Sequence, residues 1–226
     1  MVRVVPIAHP ASILRGRWKL AAIQEAYIRR AREAQLGKRE WPEHDINEPP
    51  PRTKLFPTVR EIQGFTASTL GSGERDGLHE RGDLRKWTHL SCDIENAGPH
   101  ISCIGLAQLN LDTDEVGDLV VVRFRKRGGD VYWRDSYDLM DVIRCMDSLL
   151  GDPRIGLVFH NGVTHDVPIL EDIGFEVRGP LIDTMLLQHV AYSEQPKGLQ
   201  FVAVLHCWAP AWKTLTKPED EEDGKG

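Results

Sequence analysis

Asp93 and Glu95, two positions apart in the stretch LSCDIENA (90–97), are the first residues in this chain whose types and spacing suggest chemistry. In a strand, alternate residues face the same way, so the two acids point together while Ile94 points to the opposite face. Neighbouring carboxylates repel, and burying them is costly unless something positive sits between them. A divalent metal ion meets that need. Further along, HNGVTHDVPIL (160–170) places Asn161 five residues before Asp166, and Asp166 opens a helix. Asp183, in LIDTMLL (181–187), ends a strand. In an open sheet whose central strand carries Asp93 and Glu95, the helix after the fourth strand meets the end of that central strand at one edge. Asp93, Glu95 and Asp166 are expected to converge there. Taken singly, Asp166 also suits a helix cap, and Asp183 suits a strand-end acid bonding backbone donors.

These residues need elements to hold them. Segments 89–95, 101–109 and 118–124 read as three strands of an antiparallel meander, with a turn at Ala97-Gly98-Pro99 between the first two. Segment 136–150 reads as a helix with Leu139, Ile143, Met146 and Leu150 on one face and Asp135 or Ser136 as its cap. A short buried strand (155–159), a helix (167–173), a fifth strand (177–182) and two more helices (183–191 and 199–206) follow. Three antiparallel strands and then alternating helix and strand predict an α/β fold, a ribonuclease-H-like mixed sheet flanked by helices.

Before this body, 1–40 reads as a helical arm. Leu20, Ile23, Tyr27, Ala31 and Ala34 share one face of a helix over 17–36, while Arg29, Arg30 and Arg32 mostly point elsewhere. Segment 41–86 is rich in Pro, Gly and charge (NEPPPRTK, GSGERDG) and reads as a linker with weak local structure. The body is expected over 87–213, with an acidic, low-complexity tail over 214–226.

Composition sets the outer bounds. The chain has 226 residues, 41% hydrophobic and 27% charged, enough for one large domain and an appendage. No apolar run reaches the length of a membrane span, and MVRVVPIAHPAS lacks the apolar core of a signal peptide, so a cytoplasmic protein with no membrane partner is expected. Cys92, Cys103, Cys145 and Cys207 lie far apart and form no CxxC pair, which points to free thiols. Residues 1–60 carry 12 Lys/Arg against 6 Asp/Glu, and the rest carry 16 against 28. A basic arm on an acidic body suits either a nucleic-acid partner or a solvated helix.

The order of motifs resembles the DEDD superfamily of 3′→5′ exonucleases, in particular the proofreading-type domains of bacterial and phage family A DNA polymerases. CDIE…ISCIGLA is similar to their first motif and the strand after it, and HNGVTHDVPIL to the second, with His165 at the position usually held by an aromatic residue. DTMLLQHVAYSEQPKGLQFVA is similar to the connector before the third motif, and the likeness spans roughly 88–213. The resemblance implies a metal-dependent exonuclease acting on single-stranded or frayed DNA 3′ ends. Two Mg²⁺ or Mn²⁺ ions, which favour oxygen ligands, would be held by Asp93, Glu95 and Asp166, with Asp93 touching both. Asn161, His165 and Ile94 would contact the substrate strand. His160 and His165 are expected as packed or hydrogen-bonded side chains in preference to ligands. The family's third motif, a Tyr or His with an Asp four residues later, has no counterpart after His206. The expectation is a polypeptide cut short of its fourth ligand, or a substitute acid such as Asp220 or Asp223. A non-catalytic nucleic-acid-binding module with the same fold is the alternative.

A second likeness lies at the N-terminus. VVPIAHPASILRGRWKLAAIQEAYIRRA resembles the closing segment of family 4 uracil-DNA glycosylases, which would bring His9 to a uracil. The first motif, core sheet and iron–sulfur cysteines of those enzymes are absent, so base excision is not expected. Together the two likenesses imply a phage-like replication and repair polypeptide.

Overall fold

Leu90, Cys92 and Ile94 alternate with Ser91, Asp93 and Glu95, and that two-residue period fixes one buried and one acidic side on the strand that carries them. In the computed structural model this strand is one of six among the described residues. In chain order the elements are β1 (Thr53–Lys54), α1 (Val59–Leu70), β2 (His89–Ala97), β3 (His100–Asn110), β4 (Glu115–Arg123), α2 (Ser136–Leu150), β5 (Gly156–Phe159), α3 (Asp166–Asp172), β6 (Leu181–Asp183), α4 (Thr184–Ala191) and α5 (Leu199–His206). The structure describes residues 52–71, 86–98, 100–126 and 128–207, together with Glu25, Ile28, Arg29, Arg32, Glu33 and Leu36. His9, segment 72–85 of the expected linker and the tail over 214–226 lie outside the described residues.

The chain divides into two compact units, Pro50–Thr184 and a second made of Met1–Pro49 with Met185–Gly226. The first holds the whole sheet, in the order β1-β4-β3-β2-β5-β6. β2 pairs antiparallel with β3 and β3 antiparallel with β4, while β1–β4, β2–β5 and β5–β6 are parallel. Only β3 therefore runs against the rest, and the expected α/β mixed sheet of ribonuclease-H-like topology is the one observed. One face is dry. Leu90, Cys92, Ile94, Ile104, Leu106, Val120 and Val122 form a single buried cluster with Ile62 and Phe65 of α1, Val142, Met146 and Leu149 of α2, and Val167 and Leu170 of α3. Side chains of this size contribute about 1.5–3 kcal/mol each when fully buried.

The expected linker over 41–86 does not hold for its middle. Residues 53–70 form β1 and α1, and α1 places Ile62 and Phe65 in the core. Thr58 and Glu61 start the helix with a reciprocal capping box, the Glu61 backbone N–H reaching Thr58 Oγ1 and the Glu61 carboxylate accepting from the Thr58 N–H at 2.9 Å. The Lys54 ammonium, 2.8 Å from Glu61 Oε1, and then the Thr58 cap hold the Glu61 carboxyl down to about 2. A buried polar link joins α1 to the sheet. Gln108 Nε2 donates to Ser68 Oγ and Thr69 Oγ1, each at 2.8 Å, and its Oε1 accepts from the Asp118 N–H at 3.1 Å. Gly117 lies at the bulge in β4 because the Trp87 ring and the Gln108 amide fill the space where a Cβ would sit.

Smaller departures have local causes. The fifth body strand, expected over 177–182, is confined to Leu181–Asp183, since Pro180 lacks a donor for the ladder and Gly179 presses on the Ile155 carbonyl. The helix expected from 183 begins at Thr184, because Asp183 is still paired with Phe159. In the second unit, α4 and α5 are linked by His206 Nε2 and Gln188 Oε1 at 2.8 Å, and the Tyr192 and His206 rings lie 5.7 Å apart. No helix among the described residues is long and apolar enough to cross a membrane.

Candidate active site

Five of the six strands point the same way, so their carboxyl ends gather at one edge of the sheet. In open α/β sheets that edge, where the chain leaves the central strand in both directions, is where ligands bind. The carboxyl half of β2, past its pairing with β5, supplies Asp93 and Glu95. The end of β5 supplies His160 and Asn161, and the end of β6 supplies Asp183.

Pairing between β2 and β5 stops at Ser91 and Val158, so Asp93 and His160 stand level, two residues past the last pair. Glu95 sits beside a bulge in the β2–β3 ladder, where the register shifts between Glu95 and Asn96. Asp93 and Glu95 are both exposed. Even so, the Asp93 carboxyl is pushed above the ordinary carboxylate range, first by desolvation, then by the negative charges of Asp166 and Glu95; His165 and His160 oppose the shift. Beneath it the Cys92 thiol is driven up by burial and then by Asp166 and Asp93. Asp166 and Glu95 are thus close enough to Asp93 for their charges to act on it.

Asp166 is not a helix cap. It is 5% exposed. The cap position of α3 is His165, which makes no side-chain cap bond, and the neighbour of the Asp166 carboxylate is the His165 ring, with Nδ1 at 3.6 Å. That is too long for a hydrogen bond. Among the described residues the His165 ring is the group paired with this buried carboxylate, and burial of a carboxylate demands compensation, which makes Asp166 a functional candidate.

Asp183 behaves as a loop clamp, as its sequence position suggested. It is 5% exposed, and its two oxygens accept from the backbone N–H groups of Asn161 (2.9 Å) and Val163 (3.2 Å). The clamp fixes a tight turn. Asn161 has φ 68°, a left-handed conformation that Asn tolerates better than most residues. Gly162 is required beside it because a Cβ there would collide with the Phe159 side chain. The Asn161 side chain is itself held, with Oδ1 accepting from Thr164 Oγ1 at 2.9 Å.

His160 is fixed in one tautomer, a feature its sequence position does not reveal. Thr184 Oγ1 donates its only proton to the Phe159 carbonyl at 3.0 Å, so at its 2.8 Å contact with His160 Nδ1 it must accept. Nδ1 therefore carries the ring proton, and Nε2 of the neutral imidazole keeps its lone pair. Ile94 is removed from the substrate-contacting set: its side chain is 5% exposed and belongs to the core face.

The donor set fits a hard divalent cation, since Asp93, Glu95 and Asp166 offer carboxylate oxygens whose mutual repulsion such an ion would relieve. Their positions are looser than a finished cage. Among the described residues, no three His, Cys, Asp or Glu side chains stand close enough together to hold one ion.

Comparison with known proteins adds structural neighbours. No family model and no curated protein matches the chain. Among solved structures, it is similar to Brucella melitensis NrnC at 16% identity and TM-score 0.37, covering 52% of this chain and 51% of that one. The same protein bound to pGG gives 15% and 0.39, covering 55% and 54%. Escherichia coli RNase D, an exoribonuclease involved in structured RNA processing, gives 18% and 0.40, covering 67% of this chain and 32% of that one. The chain spans about half the length of the NrnC structures it matches.

Proposed function

We propose that the unit Pro50–Thr184 is a metal-dependent exonuclease domain hydrolysing phosphodiester bonds at nucleic-acid 3′ ends, with single-stranded or frayed DNA as the first substrate to test. The observation that carries this reading is the pair Asp93 and Glu95 on the carboxyl half of β2, past its last pairing with β5, with the buried Asp166 opening the helix that follows β5. A carboxylate group arranged this way destabilises itself unless a cation or a developing positive charge is part of its work. Asp93, Glu95 and Asp166 would hold Mg²⁺ or Mn²⁺, two ions in the fullest form of the proposal, and metal there supplies Lewis acidity and a more acidic water.

The chain's own groups have separable tasks. Asp183 holds the 160–163 turn in shape through two backbone bonds, and that turn follows β5 at the carboxyl edge. Asn161, with its oxygen occupied by Thr164, keeps its amide N–H₂ as a donor for a substrate oxygen. His160 Nε2, bare in the tautomer set by Thr184, is able to accept a proton at the edge. His165 stands next to Asp166, its Nδ1 3.6 Å from the carboxylate.

The test uses 3′-labelled DNA and RNA oligonucleotides with Mg²⁺ or Mn²⁺, comparing the wild type with Asp93→Asn. Label release that requires metal and disappears in the variant is the expected result. Equal release by both proteins would remove the assignment. A second reading, a nucleic-acid-binding module of the same fold without catalysis, draws on the absence of a three-ligand cluster among the described residues. Salt-sensitive binding with no metal-dependent cleavage would select it.

A further inference from the structure

Arg123 ends β4 on the acidic face of the sheet. Glu95 is paired with Cys103, and Cys103 with Arg123, so the three residues form one row across β2, β3 and β4. Directly opposed residues in antiparallel pairs share a face, and two strand spacings put Arg123 roughly 10 Å from Glu95 along that row. The Cys103 thiol between them registers both neighbours: burial and then Glu95 push it up, and Arg123 pulls it down. Among the described residues no carboxylate forms an ion pair with Arg123.

Arg123 instead lies on an aromatic ring. Its guanidinium carbon is 4.1 Å from the centroid of Phe56. Phe56 follows β1, which runs parallel to β4, so it arrives at the same edge as the carboxylates. The ring takes no part in the core cluster and is 62% exposed. A large aromatic left in water, covered on one side by a cation, is poor use of a phenylalanine for stability. It suits a platform. A guanidinium stacked on a ring keeps its in-plane N–H groups for bidentate contact with a phosphate. Arg125 and Lys126 continue the positive charge just past the strand. A polyanion approaching an acidic edge needs such a cationic landing beside it.

Building on the nuclease reading, we propose that Arg123 and Phe56 form a substrate-strand subsite, with Arg123 taking a backbone phosphate and Phe56 stacking a base of a single-stranded nucleic acid leading to the carboxylate edge. The full chain is titrated against a fluorescein-labelled single-stranded oligonucleotide, in deoxy and ribo forms, by fluorescence anisotropy in EDTA, where no cleavage intervenes. Arg123→Ala is expected to weaken binding about tenfold and to reduce the slope of log K on log salt by about 0.7, the value for one phosphate contact on a single strand. Arg123→Lys keeps that slope and loses part of the affinity. Phe56→Ala weakens binding about tenfold, the scale of one stacked base, with little change in slope. Since Phe56 is exposed, its replacement leaves the core intact, and unchanged melting of both Ala variants serves as the folding check. Binding by Arg123→Ala and Phe56→Ala within twofold of wild type, while wild type still binds and cleaves, overturns this inference alone. Absence of wild-type binding even at low salt overturns it together with the nuclease reading.

Discussion

Replacing Asp183 by Ala is the sharpest test of how the edge is built. The carboxylate is 5% exposed and accepts two backbone N–H bonds, at 2.9 Å from Asn161 and 3.2 Å from Val163. Hydrogen bonds to a charged partner contribute about 1.5–3 kcal/mol each. Removing the acceptor leaves both donors in a partly buried turn, and relaxation of the left-handed Asn161 returns about 1 kcal/mol. The expected loss is about 2–5 kcal/mol, which for a domain of this size corresponds to roughly 5–15 °C in melting temperature. Asp183→Asn keeps one oxygen acceptor and should fall about midway. Urea denaturation with an unchanged m-value reads the loss, and amide exchange at Asn161 and Val163 should accelerate in step. A loss below about 1 kcal/mol, or unaltered exchange at those two amides, would show that the turn does not depend on this carboxylate. On the proposed metal site, any stabilisation by Mg²⁺ should be the same in Asp183→Asn as in the wild type, since the Asp183 carboxylate binds backbone N–H groups.

Three further outcomes follow from named interactions. Because the folded Asp93 carboxyl sits above its ordinary range, the folded state holds that proton more tightly than the unfolded chain, so this group adds stability as pH falls and opposes folding once ionised. Asp93→Asn should therefore melt slightly higher than wild type near pH 7 in EDTA, with the advantage gone below about pH 4; a variant that melts lower at pH 7 would contradict the crowding described. For Glu61 the sign is reversed: its carboxyl is held at about 2 against 4.5, so the contribution is full above 4.5 and is lost as pH falls towards 2. The melting gap between wild type and Glu61→Gln should close over that interval, and a gap independent of pH would exclude the Lys54 and Thr58 contacts as its cause. Gln108→Leu removes the partners of Ser68, Thr69 and the Asp118 N–H and should lower stability by about 1–3 kcal/mol in urea denaturation, most of it from the orphaned buried donor.

The sheet was legible because its strands keep the two-residue alternation from Leu90 to Ile94 and again across Ile104 and Leu106, and because each run ends at a turn residue. The structural role of Asp183 was legible too, from its place at a strand end. α1 was obscured by its surroundings. Thr58-Val-Arg-Glu61 is a capping-box signature, and Ile62, Phe65, Thr66 and Thr69 follow on one face, but Pro, Gly and charge on both sides gave the segment the composition of a linker. Ile94 shows the converse error: a residue set between two acids in sequence points away from them in space, as strand geometry requires. The link from Gln108 to Ser68 and Thr69 spans about 40 residues, and no local pattern announces it. The tautomer of His160 depends likewise on Thr184, 24 residues on, and on which acceptor takes a single hydroxyl proton.

The turn carrying Asn161 takes its form from an acid 22 positions further along the chain. Strands β2, β3 and β4 can zip together from neighbours close in sequence, whereas β5 and β6 must each wait for a crossover before they can dock, a slower kind of closure. Asp93 and Glu95 precede β6 in the chain, and the turn after β5 has its two backbone bonds to Asp183 only once β6 is paired. A chain that ends before β6 carries Asp93 and Glu95 but lacks the acid that shapes the turn after β5.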